Sequence, residues 1–283
     1  MSIYNVFAKS EAESPGRAIG DVNSGVAVVS TFDNFLSLEE CQRQIEIIKP
    51  LLISRGSDVP GGYLGSSLFE AGGSLALYFE QVLEMEEVLA EVHKECGEPI
   101  SRIIDSYNSL SPLHSFEAIS RLGINAALSR IMAFPVTNDR IVLKDHEDLA
   151  TIRNKMMVEQ GLEVAMSLSV LALNVYLANP GNCGTLRIFK YRPSDAEKKD
   201  LDREFGTDLQ GTGYPYPEHI TRGLEYIDVP VTPGLFCVFE ASHLHSVINL
   251  DKHNADGDLR ISWNSFACSS SHPTMANQLL YWS

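Results

Sequence analysis

The spacing of hydrophobic residues changes about halfway along the chain. In the first part these residues recur at intervals of three and four, which predicts amphipathic helices. The helical runs lie between Ser37 and Pro50, from Ser74 to about Lys94, and from about Ile100 to Leu122. Ser37 and Glu40 form the pattern of a capping box, which marks the start of the first helix. One strand is predicted before these helices, at 26–30, and residues 51–73 are predicted to form a loop.

From Leu128 onward the chain consists of short runs rich in β-branched and aromatic residues, which predict strands. The runs are 128–134, 140–143, 171–177, 186–190, 225–229, 235–239, 246–250 and 259–266. Eight short strands separated by turns fit a jelly-roll barrel of two packed sheets, so the predicted fold class is α+β. Helical inserts are predicted at 149–165 and from Ser194 to Gly206, and the aromatic segment 211–219 is predicted to be a mobile lid.

Length and charge limit the kinds of protein this can be. The 283 residues contain no low-complexity linker, which predicts a single domain with a helical N-terminal portion at 1–125 and a jelly-roll core at 126–270. A formal net charge of −15 argues against nucleic acid and anionic membranes as partners. No leader or membrane-length apolar run is visible, so a soluble, cytoplasmic protein is expected. The sequence does not predict an oligomeric state.

Two residues in a charged run have the spacing of metal ligands. His146 and Asp148 are separated by one residue, so on a strand both side chains point to the same face. A histidine from a distant strand, His245 or its neighbour His243, would complete the set of two histidines and one carboxylate that non-haem Fe(II) oxygenases use. Taken alone, however, the charged run also fits a solvated surface segment.

Arg260 and Ser262 are candidates for binding an anionic co-substrate. A guanidinium can hold a carboxylate through two parallel hydrogen bonds, and a serine two residues further along a strand lies on the same face. The alternative is a strand arginine paired with a carboxylate of the neighbouring acidic insert, 251–258. Asn174 and Tyr176 lie on another predicted strand, where they either bind the co-substrate or belong to the core.

The order of these pieces along the chain resembles the Fe(II)- and 2-oxoglutarate-dependent dioxygenases. The matching pieces are Phe32-Asp-Asn-Phe35-Leu-Ser37-Leu-Glu-Glu-Cys41, His146-x-Asp148, Leu173-Asn-Val-Tyr-Leu177 with Cys183-Gly184-Thr-Leu186, Pro233-Gly234-Leu-Phe-Cys-Val-Phe239 with His245-Ser-Val247, and Arg260-x-Ser262. The chain departs from the family in two places. Cys183-Gly184 stands where the family has paired glycines, and the insert 251–258, interpreted as a long hairpin loop, lengthens the interval between His245 and Arg260.

The resemblance implies a ligand set and a chemistry. His146, Asp148 and His245 would hold Fe(II), with His245 chosen over His243 by its register. The co-substrate 2-oxoglutarate would bind Arg260 and Ser262, with Asn174 and Tyr176 nearby, and dioxygen would be consumed. Hydroxylation of an unactivated C–H bond in a small soluble metabolite, such as an amino acid or a natural-product intermediate, is the expected reaction. Because Asp148 is present, halogenation is not expected.

Other functions remain open at this stage. The same ligands serve desaturation and ring closure, and the scaffold also suits a hydroxylase of protein residues or a non-catalytic jelly-roll metal-binding protein. An amino-acid substrate would need a cation for its carboxylate, for which Arg130, Arg187 and Arg192 are candidates by position alone. Tyr214, Tyr216 and Trp263 either line a substrate pocket or serve as packing residues.

Overall fold

The computed structural model describes residues 6–54, 62–69, 71, 74–112, 114–121, 123–135, 141–181, 184–250, 258–269 and 278–283. The helices in this part of the chain are α1 Pro15–Asn23, α2 Leu38–Ile48, α3 Leu75–Glu95, α4 Pro99–Asn108, α5 Leu149–Arg153, α6 Lys155–Glu159, α7 Asp195–Phe205, α8 Leu209–Thr212 and α9 Glu218–Thr221. The strands are β1 Lys9–Glu11, β2 Val29–Phe32, β3 Ile53–Ser54, β4 Gly62–Leu64, β5 Ser115–Ala118, β6 Ser120–Arg121, β7 Ile124–Asn125, β8 Arg130–Pro135, β9 Ile141–His146, β10 Leu171–Ala178, β11 Thr185–Phe189, β12 Tyr226–Val229, β13 Phe236–Glu240, β14 His245–Ile248, β15 Leu259–Ser269 and β16 Gln278–Trp282.

The strands form a large sheet, a small sheet and a short hairpin. In the large sheet the order is β1-β2-β13-β10-β15-β8-β4-β3, and β16 joins β15 to β5. In the small sheet the order is β12-β11-β14-β9, and its strands pair in antiparallel fashion. The eight predicted strands of the second half are all present, as β8 to β15. The combination of helices and β-sheets predicted from the sequence is therefore confirmed.

The N-terminal portion contributes strands as well as helices. Strand β2 pairs with β13, with Thr31 opposite Cys237, and β5 pairs in parallel with β16. The predicted helix 100–122 is wrong beyond Asn108, where α4 ends. Pro112 follows four residues later, and proline disfavours a helical conformation in the residue before it. The predicted loop 51–73 contains β3 and β4, and its residues 55–61, 70, 72 and 73 lie outside the described part.

Helices α2 and α3 pack against one face of the large sheet. Trp263 of β15 is fully buried there: its indole Nε1 donates a hydrogen bond of 2.9 Å to Gln44 of α2, and its ring centroid lies 4.6 Å from that of His93 of α3. Trp263 is therefore a packing residue. Since side chains alternate along a strand, Arg260 and Ser262 point away from the helices.

Local sequence signals account for most of the helix boundaries. The capping boxes predicted at Ser37 and Ser194 are both formed, and α7 ends at Gly206 in the left-handed conformation. The predicted helix 149–165 is instead two short helices, because Asn154 adopts an extended conformation and caps α6 with its side chain. In the portion described, no helix combines the length and the apolar character that crossing a bilayer requires.

Candidate active site

The small sheet brings His146, Asp148 and His245 together. His146 is the last residue of β9 and lies directly opposite His245, the first residue of β14. Asp148 follows two residues after His146, at the position before α5. One ligand atom from each side chain lies within 4.8 Å of the other two, and the Nε2 atom of His245 is 3.4 Å from Oδ2 of Asp148. This spacing suits three ligands of one metal ion.

Both imidazole rings are held by main-chain carbonyl groups. His146 Nδ1 lies 2.7 Å from the carbonyl oxygen of Lys144, and His245 Nδ1 lies 2.9 Å from that of His243. A proton on Nδ1 therefore donates to a carbonyl in each ring, which leaves Nε2 with its lone pair free for a metal. His243 itself is turned away, with its Nδ1 3.0 Å from the carbonyl oxygen of Phe189 and its Nε2 3.4 Å from Glu240.

Asp148 occupies a helix-capping position without acting as the cap. Its side chain makes no capping hydrogen bond, and the carboxylate of Glu147 instead accepts from the backbone N–H groups of Leu149 and Ala150, at 2.7 and 3.2 Å. The main chain is fixed on both sides, because Glu147 N donates to the carbonyl of Gly213 and Asp148 N donates to that of Ala241. Asp148 is thereby held in place while its carboxylate stays available.

Glu147 also forms a buried ion pair. Its Oε1 lies 2.6 Å from Nζ of Lys198 on α7, and both residues are buried. Burial raises the pKa of Glu147, and the charge and hydrogen bond of Lys198 oppose that rise. The residue between the two candidate ligands is therefore anchored to the helical insert, a role that the sequence analysis did not identify. The capping box that starts α7 predicts the helix but not the partner of Lys198.

The electrostatics of His146 and Asp148 favour the charge states of metal ligands, whereas the hydrogen bond and charge of Asp148 raise the pKa of His245 in the metal-free protein against the effect of burial. Burial, with a smaller contribution from the neighbouring His245, lowers the pKa of His146 to about 4, so its ring is neutral at neutral pH. Burial alone would raise the pKa of Asp148, but the hydrogen bond and charge of His245, together with the charges of His146 and Arg130, lower it overall. A neutral imidazole and an ionised carboxylate are the forms that bind divalent cations.

Four of the predicted binding residues share one polar face of the large sheet. Asn174 and Tyr176 of β10 and Ser262 of β15 lie there with Arg260, and Tyr176 is directly opposite Ser262. The side-chain amide of Asn174 donates to the Tyr176 hydroxyl at 3.3 Å, and the Ser262 hydroxyl donates to Asn264 at 3.0 Å. Arg260 lies with its guanidinium carbon 4.9 Å from the centre of the Tyr176 ring.

Arg260 is buried and reaches across to the small sheet. Only 5% of the residue is exposed, and its Nε is buried with no hydrogen-bond partner among the residues that the structure describes. A side chain at Gly184, just before β11, would overlap Cδ of Arg260 and Oδ1 of Asn179, and the φ of Gly184 is +69°. Glycine is required here both for its backbone conformation and for the space that Arg260 occupies. Cys183 and the insert residues 251–257 lie outside the described part.

A cavity of about 230 Å³ opens beside two of the candidate metal ligands. His146 and Asp148 form part of its wall, together with Arg130 of β8 and with Thr212 and Tyr214 of the predicted lid segment. The Tyr214 ring centroid lies 5.8 Å from that of His146. Tyr216 is buried instead in a separate hydrophobic cluster with Phe189, Leu201, Leu209 and Leu244.

Comparisons with known proteins give a curated relative and a group of structural neighbours. The chain is 30% identical over 115 residues to an L-isoleucine 3(1)-dioxygenase of Pantoea ananatis (strain AJ13355); the alignment covers 41% of this chain and about a third, 36%, of that protein. Its fold is similar to that of an N-substituted L-amino acid dioxygenase of Burkholderia ambifaria AMMD, solved in complex with alpha-KG. The TM-score is 0.55 and the identity 12%, with 95% of this chain and 91% of that one covered. A second structure of an N-substituted L-amino acid dioxygenase from the same organism gives a TM-score of 0.54 at 10% identity, with the same coverage. No family model matches the chain.

These findings agree with the geometry of the site. The structural neighbours share the fold over nearly the whole chain, the curated relative shares a stretch of sequence, and the two-histidine, one-carboxylate cluster is the ligand set expected of such proteins. The resemblance of the sequence to the Fe(II)- and 2-oxoglutarate-dependent dioxygenases thus agrees with the curated relative, with the similar fold and with the ligand cluster.

Proposed function

We propose that this protein is a non-haem Fe(II)- and 2-oxoglutarate-dependent oxygenase that hydroxylates an unactivated C–H bond of a small metabolite, such as an amino acid. The observation that carries the proposal is the ligand cluster. The nearest ligand atoms of His146, Asp148 and His245 lie within 4.8 Å of one another, and both imidazoles present Nε2. Three protein ligands on one side leave positions open for co-substrate and dioxygen.

The polar face of the large sheet fits the co-substrate 2-oxoglutarate. Its far carboxylate would pair with the buried guanidinium of Arg260, whose Nε is without a partner among the described residues, and Ser262 would add a hydroxyl donor. Asn174 and Tyr176 supply further polar groups beside Arg260. When bound, iron and 2-oxoglutarate would supply the oxidising chemistry with dioxygen as the oxidant: one oxygen atom would enter the succinate formed as 2-oxoglutarate loses carbon dioxide, and the other would enter the product. The role of the chain is to position the substrate bond and exclude competing targets.

The barrel proposed here is a double-stranded β-helix, or jelly roll, formed by strands β8 to β15 of both sheets. Arg260 of the large sheet contacts Gly184 beside the small one, which supports sheets that face each other. The residues of 1–125 would then form a layer against the barrel within a single domain spanning 1–283.

The size of the cavity supports a small substrate rather than a protein chain. Its volume of about 230 Å³ lies below the roughly 300–1,000 Å³ typical of sites for drug-sized ligands. An amino acid is the favoured class because the curated relative and the structural neighbours are both named as amino-acid dioxygenases.

The test is an anaerobic titration of the metal-free protein with Fe(II) and then with 2-oxoglutarate. We expect iron to bind and the visible charge-transfer absorption of a keto acid chelated to iron to appear. Asp148→Ala should abolish iron binding, while Asp145→Ala should preserve it, because the Asp145 carboxylate accepts a hydrogen bond from Thr221 and is outside the ligand cluster. Arg260→Met should keep iron but require much more 2-oxoglutarate for the same absorption.

Two results would contradict the proposal. Iron retention in a folded Asp148→Ala protein would exclude the ligand set. Iron binding without any 2-oxoglutarate absorption, and without succinate release in air, would favour a non-catalytic metal-binding protein instead. Product analysis by mass spectrometry would then separate hydroxylation, a gain of one oxygen atom, from desaturation or ring closure, a loss of two hydrogen atoms.

A further inference from the structure

The cavity beside His146 and Asp148 is an apolar chamber with one cationic side chain. Its walls include Met132, Leu143, Phe266 and Trp282. Among the residues that the structure describes, no lysine or arginine other than Arg130 lines this cavity. A chamber of this kind suits a molecule with an apolar body and one anionic group.

Within the described part of the chain, Arg130 has no carboxylate in salt-bridge contact. Its Nε is buried and has no hydrogen-bond partner among the residues that the structure describes. Its guanidinium carbon lies 5.7 Å from the centre of the Phe266 ring. Burial lowers the pKa of Arg130, and the charge of Asp148 opposes that effect. Asp148 is a proposed metal ligand, so among the described residues Arg130 has no carboxylate dedicated to it.

The other two candidate arginines are already paired. Arg187 forms a bidentate ion pair with Asp228, with both N–O distances at 2.7 Å. Arg192 lies 3.9 Å from the buried carboxylate of Glu240. Neither residue lines the cavity. The structure thus separates three candidates that sequence position alone could not distinguish.

Arg130 and Arg260 belong to different parts of the large sheet. Arg130 lies opposite Asn264 of β15, and Arg260 lies opposite Phe134 of β8. Four residues separate Arg260 from Asn264, so the two arginines stand about 13 Å apart along the strands. One carboxylate of a small molecule cannot occupy both.

We propose that Arg130 binds the carboxylate of the substrate, with the apolar part of the substrate packed against Phe266, Trp282, Met132 and Leu143. The inference rests on the proposed function and extends it. The substrate is a small aliphatic or aromatic carboxylate, and Arg130 binds its carboxylate while Arg260 binds the co-substrate 2-oxoglutarate. The main chain beside Arg130 is closely packed, because a side chain at Gly65 would lie 3.1 Å from Cβ of Arg130. That packing holds the start of β8 in place.

The experiment measures binding directly by calorimetry, under anaerobic conditions, on protein loaded with Fe(II) and 2-oxoglutarate. The probes are L-isoleucine, L-leucine and L-methionine, each compared with its amino alcohol, which keeps the side chain but lacks the carboxylate. We expect the wild-type protein to prefer at least one amino acid over its alcohol by tenfold or more. Arg130→Met should weaken binding of that amino acid about 10- to 100-fold and binding of its alcohol less than threefold.

A matched variant and a second substitution control the result. Arg187→Met makes the same substitution outside the cavity and should leave the preference intact. Arg130→Lys keeps the charge but not the planar guanidinium and should give an intermediate affinity. The thermal melting temperature and the 2-oxoglutarate absorption of each variant report folding and the co-substrate site separately from substrate binding.

Three outcomes overturn the inference. These are a wild-type protein without preference for any amino acid over its alcohol, an Arg130→Met protein that keeps the preference, and a preference lost equally in Arg187→Met. If the proposed function itself is wrong, the wild-type protein with iron and 2-oxoglutarate should show no visible charge-transfer absorption. Calorimetry would still compare each amino acid with its alcohol in that case, so the two failures can be told apart.

Discussion

Replacing Gly184 should have two effects, a strained backbone at this position and a steric clash with Arg260. An alanine there would adopt φ of +69° and would place its Cβ against Arg260 Cδ and Asn179 Oδ1. We expect Gly184→Ala to lower the free energy of unfolding by more than the roughly 1–3 kcal/mol of the strained backbone alone. We also expect affinity for 2-oxoglutarate to fall roughly tenfold or more, because Arg260 must move. Urea denaturation and co-substrate titration measure the two effects.

Gly206→Ala is the matched control for that variant. Gly206 has φ of +67°, but a Cβ at this position meets nothing within 4 Å. The control should lose about 1–2 kcal/mol of stability from its backbone conformation and should bind 2-oxoglutarate normally. Equal loss of co-substrate affinity in both variants would show that Gly184 does not act through Arg260.

At the scale of single residues, the sequence predicts some parts of the site better than others. The spacing of His146 and Asp148 identifies two candidate ligands, but the shared strand face expected from the sequence is not formed, because β9 ends at His146 and Asp148 lies at the position before α5. The partners of the arginines depend on residues far away in sequence. Asp228, which pairs with Arg187, is 41 residues distant, so only the folded chain shows that Arg187 is paired while Arg130 has no salt bridge among the described residues.

At the scale of elements, helix α7 is tied to the candidate metal ligands by the buried pair of Lys198 and Glu147. Lys198→Met leaves a carboxylate buried without its cation, and we expect a loss of about 3–5 kcal/mol in the free energy of unfolding. Because Glu147 stands between two proposed ligands, iron affinity should also fall about tenfold or more. Urea denaturation and an iron titration check these values. Adding Glu147→Gln should restore part of the stability, since the uncompensated charge is then removed.

The pH dependence of Lys198→Met supplies an internal check. Burial raises the pKa of Glu147, and removing Lys198 takes away the charge that opposes the rise. Protonation of Glu147 then favours the folded state, so the stability loss should shrink as the pH falls. Lys155→Met is the control, because its partner Glu159 is exposed and the pair should contribute less than about 1 kcal/mol. A similar loss in both variants would contradict the role assigned to the buried pair.

Elements with a clear local pattern were predicted well, whereas β5, which has no strand pattern of its own and depends on a distant partner, was not. The capping boxes at Ser37 and Ser194 involve residues three apart and are formed as predicted. Strand β5 falls in a segment with helical spacing, and its partner β16 lies about 160 residues later in the chain. Without that partner there was no pattern to indicate a strand.

At the scale of the whole molecule, His93 couples the helical layer to the large sheet. Its Nε2 lies 3.0 Å from the Ser129 hydroxyl, and its ring packs against Trp263. Burial lowers the pKa of His93 to about 4, from an ordinary value of 6.5. Between pH 6.5 and pH 4 the unfolded chain protonates His93 more readily than the folded chain does. The free energy of unfolding therefore decreases as the pH is lowered through this range. Between pH 7 and pH 5 the contribution is about 2 kcal/mol.

His93→Gln should remove that part of the pH dependence. When the pH is lowered from 7 to 5, the free energy of unfolding of the variant should decrease by about 2 kcal/mol less than that of the wild-type protein. Urea denaturation at both pH values measures this difference. His219→Gln is the control, because His219 is exposed and packs only beside Phe205 among the described rings. Identical profiles for His93→Gln and the wild-type protein would show that burial of this ring does not contribute.

The pairing of β2 with β13 has a consequence for how the chain reaches its native state. Thr31 and Cys237 are opposite each other although about 200 residues separate them. Until the second half is synthesised, β2 has no antiparallel partner, and until β2 docks, β13 presents an open edge to other chains. Pairings this remote make folding slow, because a long loop must close before any contact compensates for the lost entropy. Newly made molecules should therefore be most prone to aggregate after synthesis of the core, in the interval before the N-terminal strand pairs with it.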